Sequence, residues 1–185
     1  MEGLMRLKAM AKINLGLDVL GKREDGYHEV RMIMQTIRMY DILDIRKTRR
    51  PGIVLTTNLP FIPTDQRNLV YKAAQMLMEE FDVEEGLSIK LRKFIPVAAG
   101  MAGGSSDAAA AFVGVNRMFH LGLTEEQLME RAVKVGADVP YCIMRGTALA
   151  EGIGEKLTRL PEVPKCYVLI GNRESMFPQK QPMRI

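Results

Sequence analysis

The sequence has no tryptophan, two cysteines, two histidines and an aromatic content of 6%. Cys142 and Cys166 both sit in apolar stretches and read as small packed hydrophobes, not as a disulfide framework. His28 and His120 are far apart and share no ligand spacing with either cysteine, which argues against a structural zinc site. Aromatics are scarce and none is interleaved with basic residues, so a nucleic-acid surface is not expected. The run Arg46-Lys47-Thr48-Arg49-Arg50 reads as a solvated turn. No apolar run approaches the ~20 residues of a membrane span. Arg6, Lys8 and Lys12 interrupt the apolar stretch that a secretory signal would need. The expected location is cytoplasmic, with no membrane and no nucleic-acid partner. The familiar phosphate-loop signatures are also missing from the glycine-rich stretch, which has neither a Gly-Lys-Ser/Thr ending nor Gly-x-Gly-x-x-Gly.

What is present fits a soluble globular protein of one domain, or one domain plus part of another. Of the 185 residues, 47% are hydrophobic and 26% charged. The net charge of +4 suits an anionic substrate. Residues 7–20 alternate, with Ile13, Leu15, Leu17 and Val19 set against Lys12 and Asn14 on the other face, which predicts a half-buried strand. A polar connection over 21–26 leads into a second extended segment reaching about Arg46, giving a hairpin with a longer-than-tight loop. Residues 53–57 predict a strand, and helical spacing covers 68–81. Residues 87–94 predict another strand. A helix over 107–119 follows, beginning near Ser105, and a third, opened by Thr124-Glu125-Glu126-Gln127, runs to about Val135. Residues 141–144, 146–150 and 166–170 read as strands. Strands first, then a strand, a glycine-rich loop and helices, argue an α+β fold.

The centre of the sequence is Pro96-Val97-Ala98-Ala99-Gly100-Met101-Ala102-Gly103-Gly104-Ser105-Ser106-Asp107. Small residues between a strand and a helix let the backbone turn so that its N–H groups and the helix N-terminus face an anion, most simply a phosphate. A plain turn capped by Ser106 or Asp107 is the simpler alternative. Asp138, in Gly136-Ala137-Asp138-Val139-Pro140, could take a proton from a hydroxyl attacking a phosphoryl group. On spacing alone it reads as a helix-end turn residue. Lys12 could stabilise phosphoryl charge, or it could be a solvated strand lysine. Tyr27-His28 offers a ring face beside a hydrogen-bonding edge, which suits a flat heterocycle.

Four segments together resemble the 4-diphosphocytidyl-2-C-methyl-D-erythritol kinases of the GHMP superfamily. They are Ala11-Lys12-Ile13-Asn14-Leu15, Asp25-Gly26-Tyr27-His28, the stretch from Pro96 through Asp107, and Gly136-Ala137-Asp138-Val139-Pro140. The glycine-rich segment alone implies only the superfamily. The Asp-Gly-Tyr-His segment after the Lys-x-Asn strand narrows it. The resemblance implies ATP-dependent phosphorylation of the 2-hydroxyl of a cytidine diphosphate-linked methylerythritol in non-mevalonate isoprenoid synthesis. Under it, Pro96 through Ser106 wrap the ATP phosphates, and Ser105 or Ser106 reaches Mg²⁺. Asp138 is the general base with Lys12 beside it, Tyr27 stacks on the cytosine, His28 binds its edge and Asn14 lines the site. The implied fold is a GHMP-kinase N-terminal domain, ribosomal protein S5 domain 2-like, over residues 1–164. Alanines stand in the loop where other superfamily members carry glycine.

The sequence departs from the family after Ile170. The family continues into a ferredoxin-like second domain through a segment like Lys-Pro-Gly-Ile-x-Val-Ser-Thr, whereas residues 171–185 here show no strand or helix pattern. Codons for these residues can be chosen so that a shifted frame reads Lys-Pro-Gly-Ile-Asn-Val-Ser-Thr. The expectation is therefore that residues 165–185 are an aborted start of the second domain with an out-of-frame tail, which resequencing across these codons checks. In the family the site lies between the two domains. The expectation for this chain is weak or no turnover by itself, with self-association through the uncovered face.

Overall fold

A computed structural model describes residues 3–24 and 26–171. The expected out-of-frame tail falls almost wholly on residues 172–185, outside the described residues, as does Asp25. In chain order the elements are β1 (Met5–Lys22), β2 (His28–Thr48), β3 (Ile53–Thr57), α1 (Leu69–Glu80), β4 (Gly86–Arg92), α2 (Gly103–Met118), α3 (Glu125–Ala132), α4 (Val139–Met144), β5 (Thr147–Gly152) and β6 (Lys156–Arg159). The α+β expectation holds. The six strands form one sheet, antiparallel except where β3 runs parallel to β4.

The long strand β2 organises the sheet. Along one edge it pairs with β1 from His28 to Ile45. Along the other, β5 takes residues 30–35 and β4 takes residues 42–48. Between those two partners, residues 36–41 have no strand beside them on that edge. The β1 register also slips there, from Met10 opposite Tyr40 to Lys12 opposite Thr36. This break in the ladder is where the chemistry-bearing residues gather.

The core face of the sheet follows the period of two: Leu7 and Ala9 on β1, and Leu43 and Ile45 on β2, are buried. Against them lies α2, whose Phe112 and Val115 are fully buried. A Cβ on Gly114 would come within 2.4 Å of Ile45 Cδ1 and 2.8 Å of Leu7 Cδ1, so glycine lets this helix sit directly on the sheet. The helix α1 packs beside it through Val70, Ala73, Ala74 and Leu77. Its N-cap is Asn68, whose side chain accepts from Val70 N–H. The expected capping box of α3 is present between Thr124 and Gln127.

Several expectations are corrected. The outer half of β1 is not half-buried: Leu15, Leu17, Val19 and Leu20 are exposed. Nor do Leu17 and Val19 oppose Asn14. A register shift between Asn14 and Gly16 puts Asn14 opposite Met34 and Leu17 opposite Met32. Met34 and Met32 are two residues apart and share a face, so Asn14, Leu17 and Val19 share one too. Of the two readings of Lys12, the solvated strand lysine does not hold, since it is 5% exposed. Residues 141–144 are helix α4, not strand. Pro140 sits in the first turn, where its missing N–H has no partner to lose. Residues 166–170 form no strand, and Cys166 is exposed instead of packed, while Cys142 is buried. The short β6 has no counterpart in the sequence reading. No helix among the described residues is long and apolar enough to cross a membrane.

Candidate active site

The loop from Pro96 to Ala102 leaves β4 and enters α2 through alternating backbone hands. φ is +60° at Ala98, +71° at Gly100 and +53° at Ala102, and negative at the residues between. Alternation of this kind turns successive N–H groups toward one side and makes a concave anion cradle. Ala102 is itself the N-cap of α2 and caps nothing with its side chain. The helix therefore starts at Gly103, two residues before Ser105, and neither Ser106 nor Asp107 caps it. Ser106 is buried and its hydroxyl donates to Met10 O at 2.6 Å. On the same strand, Lys12 N–H donates to Met101 O at 3.1 Å. These two bonds dock the loop and the helix start onto β1 at the point where its register slips.

Lys12 is brought to Asp138 there. Its Nζ lies 3.5 Å from Asp138 Oδ2 and donates to Asn14 Oδ1 at 3.1 Å. Asp138 is the N-cap residue of α4, yet its carboxylate makes no cap bond and remains free to face Lys12. The floor beneath is a tight polar lattice. Thr36 and Tyr141 share a hydroxyl bond of 3.1 Å, Tyr141 donates to Gly146 O at 2.7 Å, and Gly146 N–H donates to Thr36 Oγ1 at 3.1 Å. Burial pushes the Tyr141 phenol up to about 12. It stays protonated and acts as a fixed donor.

A cleft of about 380 Å³ opens between the loop and the start of α1, lined by Ile62, Pro63, Asn68 and Leu69 opposite Pro96 through Gly104. The same cleft touches Arg67, Lys93 and Asp107, charged residues that the sequence reading did not place at the site or, for Asp107, named only as a cap. Lys93 Nζ donates to Asp41 and, at 2.6 Å, to Asp107 Oδ2. All three are at least nine-tenths buried. One signal was available: Asp41 occupies a core position in the alternation Asp41, Leu43, Ile45, where a carboxylate needs a buried partner. Nothing in the sequence identified Lys93 as that partner.

Tyr27 and His28 are not brought to Lys12. His28 pairs with Lys22 at the far end of the β1–β2 hairpin, eight residues along β2 from Thr36, which in a straight strand is about 27 Å. Tyr27 is 60% exposed. Ser105 is half-buried at the third position of α2. Among the described residues no group of three or more His, Cys, Asp or Glu is placed to hold a metal.

Residues 68–146, from the cap of α1 through the end of α4, match the family described as GHMP kinases N terminal domain. Two relatives called 4-diphosphocytidyl-2-C-methyl-D-erythritol kinase cover this loop and Asp138. The protein of Lachnospira eligens is 57% identical over 166 residues, 90% of this chain and 58% of its own length.

The chain is similar to the N-terminal part of the GHMP kinases.

The relative from Lachnoclostridium phytofermentans is 58% identical over 167 residues, 90% of this chain and 57% of its own. The GHMP fold is shared with a solved 4-(cytidine 5'-diphospho)-2C-methyl-D-erythritol kinase at TM-score 0.74 and 35% identity, over 84% of this chain and 55% of that one. A solved homoserine kinase from Cytophaga hutchinsonii shares the GHMP fold at TM-score 0.69 and 19% identity, over 87% of this chain and 53% of that one. The chain thus spans a little under three fifths of the length of the curated relatives it matches.

Proposed function

We propose that this chain is the ATP-binding part of a kinase that phosphorylates the 2-hydroxyl of 4-diphosphocytidyl-2-C-methyl-D-erythritol. Residues 1–164 serve as its ATP-binding domain. The observation that carries the reading is the loop with left-handed residues at 98, 100 and 102, docked beside the Lys12–Asp138 pair.

Each residue has a role that its surroundings support. The backbone N–H groups of Val97 through Ser105 hold the ATP phosphates, with the N-terminus of α2 adding its positive end. The apolar cleft by Ile62 and Leu69 takes the base. Asp138 accepts the proton of the attacking hydroxyl, and Lys12 holds that carboxylate in place and faces the phosphoryl charge. Asn14 orients Lys12 through its 3.1 Å bond and lines the same face. Tyr27 and His28, at the hairpin tip, suit the cytosine of a long, extended substrate. Mg²⁺ fits here as a partner of the nucleotide's own phosphates, since no carboxylate cage exists among the described residues. The Ser106 hydroxyl already donates to Met10 O, so Ser105 is the hydroxyl nearer to hand. When bound, the ion neutralises phosphoryl charge.

A second reading has its own support: nucleotide binding with little turnover. Leu15, Leu17, Val19 and Leu20 are exposed beside Asn14, a surface suited to further protein that the longer relatives carry, or to self-association. Titration with ATP, paired with a turnover assay on the diphosphocytidyl substrate, homoserine and mevalonate, separates the readings. Binding plus any turnover confined to the diphosphocytidyl substrate supports the kinase. Binding alone supports the second reading. No ATP binding, or preference for another alcohol, overturns the proposal.

A further inference from the structure

The loop has a clasp beneath it that neither the sequence motifs nor the proposed chemistry uses. Asp41, on the part of β2 that lies between its pairings with β5 and β4, gathers three donors. Its Oδ1 accepts from Phe94 N–H and, at 2.8 Å, from Ile95 N–H, while its other oxygen accepts from Lys93 Nζ. That fixes the backbone just before Pro96, where the loop begins. From the same point the Lys93 side chain reaches across to Asp107 Oδ2, 2.6 Å away on the second turn of α2, where the loop has ended. The ammonium passes directly under the first residue of that helix: a Cβ on Gly103 would lie 3.1 Å from Lys93 Nζ and 3.2 Å from Ile95 Cγ2. One buried cation therefore joins the two ends of the loop to each other and to the sheet.

We infer that Lys93 is the positioning residue of the anion loop, holding its two ends at the separation that keeps the N–H groups of residues 97–105 turned inward before any ligand arrives. This rests on the reading of that loop as the phosphate cradle. Two physical facts argue for it. Ala98 and Ala102 are held at left-handed φ, a conformation unfavourable for a residue with a Cβ, so something must restrain the loop ends. And two carboxylates with one ammonium are an expensive way to fill a core that apolar residues would fill more stably, with Asp107 Oδ1 left without any hydrogen-bond partner. Such a cluster is better explained by geometry imposed than by stability gained.

The test uses the 185-residue chain and the double substitution Lys93→Met with Asp107→Asn, which removes the cation and the carboxylate it reaches across to while Asp41 keeps its two backbone donors. Amide hydrogen exchange is followed at Lys12 N–H, which bonds Met101 O in the loop, and at Ala73 and Ala74 in α1 as the reference for global stability. The expected result is exchange at Lys12 faster by about tenfold or more relative to α1, with affinity for inorganic tripolyphosphate reduced about tenfold and affinity for adenosine unchanged. Parallel acceleration at all three amides, or an unchanged Lys12 amide, overturns the inference. If the wild-type chain binds no ATP, the functional proposal fails, yet the exchange comparison still decides the role of Lys93. Should the double variant not fold, Asp107→Ala alone keeps the Lys93–Asp41 pair, removes the acceptor at the helix and frees only that end of the loop. The same selective acceleration at Lys12 is then required.

Discussion

Lys12 Nζ stands 3.5 Å from Asp138 Oδ2, joining a buried strand lysine to a half-buried residue at the head of α4. The lysine side chain is 7% exposed and the aspartate 30%. Removing the carboxylate leaves the ammonium with Asn14 Oδ1 alone. Asp138→Ala is therefore expected to destabilise the fold by about 1–2 kcal/mol, below the value for a fully buried pair because water reaches the aspartate. Asp138→Asn should destabilise less, while lowering whatever turnover the chain supports by about 10²–10⁴-fold. Urea unfolding and a coupled ADP-release assay separate the two effects.

Ala98 and Ala102 hold φ at +60° and +53°. Glycine relieves the clash of the Cβ there, at the expense of added freedom in the unfolded chain. Ala98→Gly and Ala102→Gly should each stabilise the fold by about 0.5–1 kcal/mol. Thermal unfolding checks this. A lowered midpoint in both variants would show that the left-handed loop does not persist in solution.

Asp107 links stability to pH. Burial pushes its carboxyl well above the usual carboxylate range, and the charge of Asp41 adds to that, against the pull of Lys93. In the pH window between the ordinary and the raised value, the folded chain keeps a proton that the unfolded chain has lost. Stability therefore declines as pH rises through that window. Asp107→Asn should remove this decline and leave a flatter profile. Urea midpoints measured from pH 4 upward, for both proteins, test the sign.

Cys142 and Cys166 differ in environment. Burial pushes the Cys142 thiol far up, while Cys166 is exposed. A thiol-reactive reagent at neutral pH should label Cys166 quickly and reach Cys142 only on unfolding. Peptide mass mapping of native and denatured samples gives the answer directly. Rapid labelling of Cys142 in the native chain would contradict its burial.

The signals that were legible in the sequence are local ones. Apolar residues at helical spacing located α1, Thr124 with Gln127 located the start of α3, and Pro96 through Ala102 announced a strand-to-helix loop of small residues. Each depends on neighbours within a few positions, so the chain carries it openly. Misreadings came where local and distant preferences competed. Residues 141–144 are apolar and short enough for a strand, but Pro140 in a first helical turn and the bonds from Tyr141 to Thr36 and Gly146 make them a helix. Leu17 and Val19 alternate perfectly with their neighbours, but a register slip set by β2 moves them to the other face.

Which elements form, and where the glycine-rich loop falls, followed from patterns a few residues long. Assembly of the site did not. Lys12 and Asp138 are 126 positions apart in the chain, and Asp41, Lys93 and Asp107 come from three separate segments. They meet because, on the edge that carries β5 and β4, residues 36–41 of β2 fall between the two pairings, and the loop and α4 close on that break. Buried charges can be placed only against partners, and partners that distant are chosen by the packing of the sheet and α2, which no local pattern encodes.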